Sequence, residues 1–211
     1  MIFEVGRVNV REAFHDASAI HDGKKRGEHY LFASGLHSMV FLDGENVHEI
    51  SPTVSSGLTR RLMETVDDRG ISFDLIVGVA NGGIVIAHDF SKHLATMTER
   101  GVLPVVTAQK NGTGHYIRRV ALDLVMSKDV LIVDDILTAG TSVRRTAQVV
   151  KQAGGNPIAL AVWWNRGKPI SKLEDMEVIA LYEEELPTLT REECAERGPC
   201  SRKVKLVHGG G

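Results

Sequence analysis

Five unbroken apolar runs constrain the fold of this chain more than any other feature. They are FDLIVGV (73–79), LPVVTA (103–108), DVLIVDD (129–135), PIALAVWW (157–164) and MEVIALY (176–182). A strand with one wet face alternates apolar and polar residues. Runs without alternation must be covered on both faces, as in a parallel sheet. Helical segments lie between them, GGIVIAHDFSKHLA (82–95) and Thr141–Ala153 among them. The expected fold is therefore α/β: a mostly parallel sheet with helices on both faces and right-handed crossovers. In such sheets ligands bind beyond the carboxyl ends of the strands. Three ends stand out: Gly78–Gly83, Gln109–His115 and Asp134–Ser142.

Upstream, residues 9–19 suit a short helix. Glu28–Ala33 and Met39–Asp43 read as two strands of a hairpin-like unit around Ser34-Gly35. Ser51-Pro52 reads as an N-cap followed by proline in the first turn of a helix that runs to about Arg69, where Gly70 stops it. At 43% apolar and 25% charged residues the chain can bury a core and is not extensively disordered. A net charge of −2 argues against a nucleic-acid footprint. Glu4 and Arg7 fall where a signal peptide needs an apolar run, and Leu75–Ala87 is too short and too polar to span a bilayer, so no membrane attachment is expected. Two cysteines, Cys194 and Cys200, make no disulfide framework and point to a reducing cytoplasm.

The stretch VLIVDDILTAGTS (130–142) carries the chemistry. Two adjacent acids beside a tight turn repel one another unless a cation or hydroxyl donors share them. An ATPase-type acid needs a G-x-x-x-x-G-K-[ST] partner loop, which is absent, as is a G-x-G-x-x-G fingerprint. In Thr138-Ala139-Gly140-Thr141-Ser142 small residues let backbone N–H groups converge, and the following helix adds its positive end. The helix dipole supplies only about 0.3–1 kcal/mol. Each hydrogen bond to an ionised group adds roughly 1.5–3 kcal/mol. The turn thus grips one phosphate, and the acids face hydroxyls of the same molecule.

This stretch resembles the phosphoribosyl-pyrophosphate (PRPP) motif of type I phosphoribosyltransferases. The resemblance implies that Asp134 and Asp135 hold the ribose 2- and 3-hydroxyls and that Thr138, Ala139, Gly140, Thr141 and Ser142 wrap the 5-phosphate. Other segments are similar to orotate phosphoribosyltransferases. HYLFASGLHSMVFLD (29–43) matches an S-G-x-x-S segment over the base site through Ser34, Gly35 and Ser38. DLIVGVANGGIVIA (74–87) places Ala80, Asn81, Gly82 and Gly83 in a pyrophosphate-touching loop. AVWWNRG (161–167) places Arg166 near the base, where a guanidinium suits the orotate carboxylate. The tail CAERGPCSRKVKLVHGGG (194–211) is similar to an extension in some relatives.

The family's flexible loop, R-K-E-x-K-x-H-G, corresponds to Gln109–Tyr116. Lys110 and His115 keep their spacing, but Gln109 replaces the arginine and Thr113 the second lysine. The resemblance implies one domain over 1–211, with 1–50 and 185–211 forming a hood and tail by the base site. It implies a pentosyltransferase that uses PRPP, Mg²⁺ held mainly through PRPP, and a nucleobase, with orotate favoured for pyrimidine synthesis, in a homodimer whose loop carries Lys110 and His115 over pyrophosphate. The altered loop leaves two alternatives open: a PRPP-binding regulator without catalysis, or transfer to a purine or other base.

Cys194 and Cys200 with His208 suggest zinc, but the C-x5-C spacing is wide and no fourth ligand is evident, so plain thiols are expected. His88 and His93 read as ordinary helix residues. Trp163 and Trp164 alternate faces, one in the core and the other at the cleft's border.

Overall fold

The computed structural model describes residues 9–112 and 114–209. In chain order the elements are α1 (Val10–Asp16), β1 (Ile20–Asp22), α2 (Gly23–Arg26), β2 (Glu28–Leu31), β3 (His37–Ser38), β4 (Val40–Leu42), α3 (Gly44–Ile50) and α4 (Pro52–Asp68). There follow β5 (Leu75–Val79), α5 (Gly82–Met97), β6 (Val105–Asn111), β7 (Gly114–Ile117), α6 (Leu122–Val125), β8 (Asp129–Leu137) and α7 (Thr141–Gln152). The chain closes with β9 (Asn156–Asn165), β10 (Lys172–Leu173), β11 (Met176–Glu183), α8 (Arg191–Arg197) and β12 (Lys205–His208).

Seven strands form the main sheet in the order β10-β11-β9-β8-β5-β6-β7. The five apolar runs are its parallel strands, as their lack of alternation predicts. Antiparallel β10 and β7 close the two edges. Helices cover both faces. Phe14 of α1, Leu58 and Leu62 of α4 and Phe90 of α5 pack on one face with Trp163. Val143, Ala147 and Val150 of α7 pack on the other with Leu160 and Val162. Trp163 and Trp164 are both buried in the first of these cores, edge-on to Phe14, and neither borders the cleft. Strict alternation fails there because Trp164 turns into the packing of Phe14 and Tyr182.

From β5 the chain steps one way to β6, and from β8 the other way to β9 and β11. The topological switch point therefore falls between β5 and β8, where a crevice opens at the carboxyl ends. Close packing builds it. A side chain at Gly83 would collide with the carbonyl of Val133, and one at Gly78 with the backbone of Gly83. These glycines bring the first turn of α5 down onto β5 and β8.

Two small sheets stand beside this frame, β1-β4 and β12-β2-β3. The hairpin expected around Ser34-Gly35 forms between β2 and β3, with Gly35 at φ +83°. The partner of β2 is β3, which precedes the second predicted strand; that strand, Met39–Asp43, forms as β4 and pairs with β1 instead of β2. Tail strand β12 adds to β2 in parallel, which joins the two ends of the chain. Helix α4 starts with Pro52 at its first turn as expected, but the Ser51 side chain makes no capping bond. Gln109–Tyr116, expected as a flexible loop, instead extends β6 and folds back as β7. Asn111 pairs with Gly114 across the ladder, and Gly112, at φ +56°, supplies the left-handed backbone that a tight hairpin requires. Thr113 lies outside the described residues. Among the described residues no helix is long and apolar enough to cross a membrane.

Candidate active site at the switch point

A cleft of about 410 Å³ opens over the carboxyl ends of β5 and β8. Its floor is explained by unequal strand lengths. Strand β5 ends at Val79 and pairs with β8 only as far as Val133, while β8 continues beside β9 to Leu137. Asp134 and Asp135 thus lie inside a strand whose one side is left open to the start of α5.

Asp134 is buried and Asp135 half-buried. Their own backbone partly satisfies them: Asp135 N–H donates to Asp134 Oδ1 at 3.1 Å, and Ile136 N–H to Asp135 Oδ1 at 2.7 Å. Burial, then repulsion from Asp135, holds the Asp134 carboxyl well above the ordinary carboxylate range. Burial also raises Asp135, against a lowering influence from His48 of α3. Such a pair is poised to accept hydroxyl donors or to face a cation.

Two glycines make room for Asp135. A β-carbon on Gly44, at the start of α3, or on Gly82, at the start of α5, would overlap its carboxylate. Gly82 is a residue the sequence singled out. Gly44 was missed, because a glycine after Asp43 at a strand end reads as an ordinary turn. Gly44→Ala is expected to displace Asp135, because the added carbon would lie on its carboxylate and 2.8 Å from its Cβ, which moves only with the backbone. PRPP affinity should fall at least roughly tenfold, about 1.4 kcal/mol on binding, and the melting temperature should fall by a few degrees, since overpacking costs about 1–3 kcal/mol. Calorimetric titration with PRPP beside a thermal melt checks this. Unchanged affinity would show that Asp135 does not depend on that space.

The turn after β8 lines the same cleft with Thr138, Ala139, Gly140, Thr141 and Ser142. Gly140 caps α7 at φ +73°, a conformation that favours glycine, and a β-carbon there would press on Leu173 and Arg144. Thr141 and Ser142, the first two residues of α7, line the cleft, and N–H groups in the first turn of a helix have no intrahelical acceptor. From β5, Ala80, Asn81 and Gly82 also line it, and Asn81 Nδ2 donates to Glu45 at 3.2 Å. The Ala80–Asn81 peptide is cis. Gly83 does not reach the cleft. It is a packing residue beneath it.

On the β6–β7 hairpin, Lys110 lines the cleft and acts electrostatically on Asp134. His115 pairs with Lys110 across the ladder but does not line the cleft. Burial, then Lys110 and Arg145, lowers its imidazole. Gln109 accepts a hydrogen bond from the Tyr116 hydroxyl at 2.6 Å.

The hood lies over the other side of the cleft, where Phe32, Ala33, Ser34 and Phe41 contribute. Arg166, at the end of β9, is 1% exposed and yet borders the cleft. Its Nη1 donates to the Val40 carbonyl at 2.8 Å, its Nη2 to Ser38 Oγ at 3.1 Å, and its Nε has no partner among the described residues. The guanidinium lies 4.9 Å from the Phe32 ring centroid. Burial lowers its pKa to about 10. No carboxylate of the described residues pairs with it, so it is a fixed, desolvated cation turned to the cleft. Ser38 and Gly35, expected as base contacts, do not line the cleft. Ser38 is consumed by Arg166 and by its own donation to the Pro187 carbonyl at 2.8 Å, so it positions the arginine.

An acid pair and an amide turn at the switch point of a doubly wound sheet define a site of the phosphosugar-binding class. Residues 51–184 match the family of the phosphoribosyl transferase domain. The orotate phosphoribosyltransferase of Caulobacter vibrioides (strain NA1000 / CB15N) is 30% identical over 186 residues, covering 85% of this chain and 89% of that one. That of Sulfurovum sp. (strain NBC37-1) is 29% identical over 160 residues, covering 76% and 73%. The crystal structure of orotate phosphoribosyltransferase from Aeropyrum pernix superposes with a TM-score of 0.62 at 17% identity, covering 83% of this chain and 94% of that one. The chain belongs to the phosphoribosyltransferase family, and its fold is that of the type I members. It is a pentosyltransferase.

Proposed function

We propose that this enzyme transfers the 5-phosphoribosyl group from PRPP to orotate, giving orotidine 5-monophosphate and pyrophosphate. The observation that carries the choice of base is Arg166: a buried guanidinium without an anionic partner, stacked near Phe32, in the cleft that holds the acid pair. A planar base bearing a carboxylate matches both features, through ion pairing and through stacking. The names of the relatives point the same way.

In the reaction a ring nitrogen of orotate bonds to C1 of the ribose as the C1–O bond to pyrophosphate breaks, and the proton of that ring N–H passes to the departing pyrophosphate. The leaving group takes the electron pair, and the sugar gains oxocarbenium character. Asp134 and Asp135 accept the ribose hydroxyls and stabilise the developing positive charge. Thr138 to Ser142 hold the 5-phosphate through N–H groups and hydroxyls. Ala80 to Gly82 and Lys110 face the pyrophosphate. Arg166 holds the base. Asp134 and Asp135 offer adjacent hard oxygens in the cleft that also holds Lys110, a donor set that suits Mg²⁺ when the pair is ionised. Asp134 and Asp135 would be the protein groups that help hold Mg²⁺ carried mainly by PRPP, and the ion would supply charge neutralisation of the diphosphate. The enzyme works as a homodimer in this reading, as its family resemblance implies.

Incubation with PRPP and Mg²⁺ and, in turn, orotate, uracil, hypoxanthine, guanine and adenine tests the proposal by pyrophosphate release. Release with orotate alone is expected. Release with a purine and not with orotate overturns the choice of base. PRPP binding without release from any base favours a regulator, as the changes at Gln109 and Thr113 first suggested.

A further inference from the structure

The described residues bring four metal-binding side chains together away from the cleft. They are His29 on β2, His37 on β3, Cys194 on α8, and Cys200 on the short turn that follows α8. Each offers one ligand atom, and all four atoms lie within 4.8 Å of one another. The Sγ atoms of Cys194 and Cys200 are 3.0 Å apart. His29 Nε2 is 3.3 Å from Cys200 Sγ, and His37 Nδ1 is 3.6 Å from it. A zinc ion with sulfur at about 2.3 Å and nitrogen at about 2.0–2.1 Å needs tetrahedral edges of roughly 3.3–3.8 Å. The four side chains are therefore already near the span such an ion requires.

We infer that His29, His37, Cys194 and Cys200 form a structural zinc site that clamps the hood to the C-terminal tail. The reading of the cysteines as plain thiols rested on finding no fourth ligand near them in sequence. The hairpin of β2 and β3 supplies two imidazoles from the far end of the chain, and exposed His208 is not among the four.

The surroundings of the ligands support the assignment. His29 Nδ1 lies 3.1 Å from the Lys205 carbonyl, which can only accept, so Nδ1 carries the proton and Nε2 turns its lone pair to the cluster. The backbone N–H of Cys200 donates to Cys194 Sγ at 3.3 Å, which holds the two cysteines beside one another. Cys194 is fully buried, and His29 and His37 are 1% and 4% exposed. Without an ion, two thiols and two imidazoles make a poor core for a three-stranded sheet and a seven-residue helix. With four protein ligands the site has no open position, which fits a structural ion, and an S2N2 tetrahedron selects zinc.

The clamp connects to the cleft. His37 exchanges both backbone hydrogen bonds with Leu189 at 2.8 Å, and the next residue, Ser38, holds Arg166. The metal assignment itself does not depend on which base the enzyme uses.

The test uses the full chain, purified under reducing conditions without chelator or affinity metal. Elemental analysis should find one zinc per chain. Removal of the ion and titration with Co²⁺ should give the d–d bands of tetrahedral cobalt and a thiolate charge-transfer band, saturating at one equivalent. Cys200→Ser and His37→Asn should abolish those bands, and His208→Asn should keep them. The cobalt titration of the wild-type chain stands even where a ligand variant fails to fold. Three outcomes overturn the inference: a reduced wild-type chain that holds no zinc and gives no tetrahedral cobalt spectrum, a Cys194–Cys200 disulfide in the native protein, or bands that survive loss of Cys200 and His37. Loss of orotate activity with the cobalt spectrum intact counts against the reaction proposed above and leaves the metal site standing.

Discussion

Asp134→Asn is expected to make the enzyme nearly inactive and more stable at once. The kcat/KM for PRPP should fall about 10²–10³-fold, the usual loss for one preorganised group at a developing charge. The free protein should gain roughly 0.5–2 kcal/mol at neutral pH, because the substitution removes the buried member of a repelling carboxylate pair. For a chain of this size each kcal/mol raises the melting temperature about 2–4 °C. The sign of the pH dependence follows from the raised carboxyls. Between the ordinary carboxylate range and their higher values in the fold, the folded chain binds more protons than the unfolded chain. Stability of the free enzyme therefore falls as pH rises through that window. PRPP binding runs the other way, since ribose hydroxyls donate to the ionised pair. The acid limb of kcat/KM for PRPP should lie above the ordinary carboxylate range and flatten in Asp134→Asn. Thermal melts and pH–rate profiles of both proteins check this. A variant that loses stability and keeps its activity contradicts the assignment.

Arg166→Lys should act on the base alone. Lysine keeps the charge but loses the planar fork, so one charge-assisted bond of about 1.5–3 kcal/mol is forfeited. KM for orotate should rise roughly 10–150-fold, with KM for PRPP unchanged within about twofold. Ser38→Ala should reproduce a weaker form of the same effect, because it frees Nη2 of Arg166. Steady-state kinetics with each substrate varied in turn measure both. An equal rise in both KM values would mean that Arg166 supports the fold of the cleft as a whole.

The parallel strands were legible because burial on both faces leaves no alternation, and the phosphate turn because its small residues have few other uses. What escaped the sequence depends on contacts between distant segments. Gly44 matters only because Asp135, 91 positions later, needs the space above its Cα. Ser38 looks like a base contact until its hydroxyl is seen between Arg166 and Pro187. Gly83 lies in the expected loop but serves packing on β8. His115 keeps its spacing from Lys110, yet a tight hairpin holds it outside the cleft lining. Cys194 and Cys200 lacked partners until β12 was found beside β2, which brings the tail to the hairpin carrying His29 and His37.

A crystal of this protein soaked with PRPP and Mg²⁺ addresses the central claim most directly. The expected map shows the 5-phosphate within hydrogen-bond distance of the amides of residues 138–142, with both ribose hydroxyls on Asp134 and Asp135. A phosphosugar bound elsewhere, or bound at the switch point with its ribose turned from the acid pair, contradicts it.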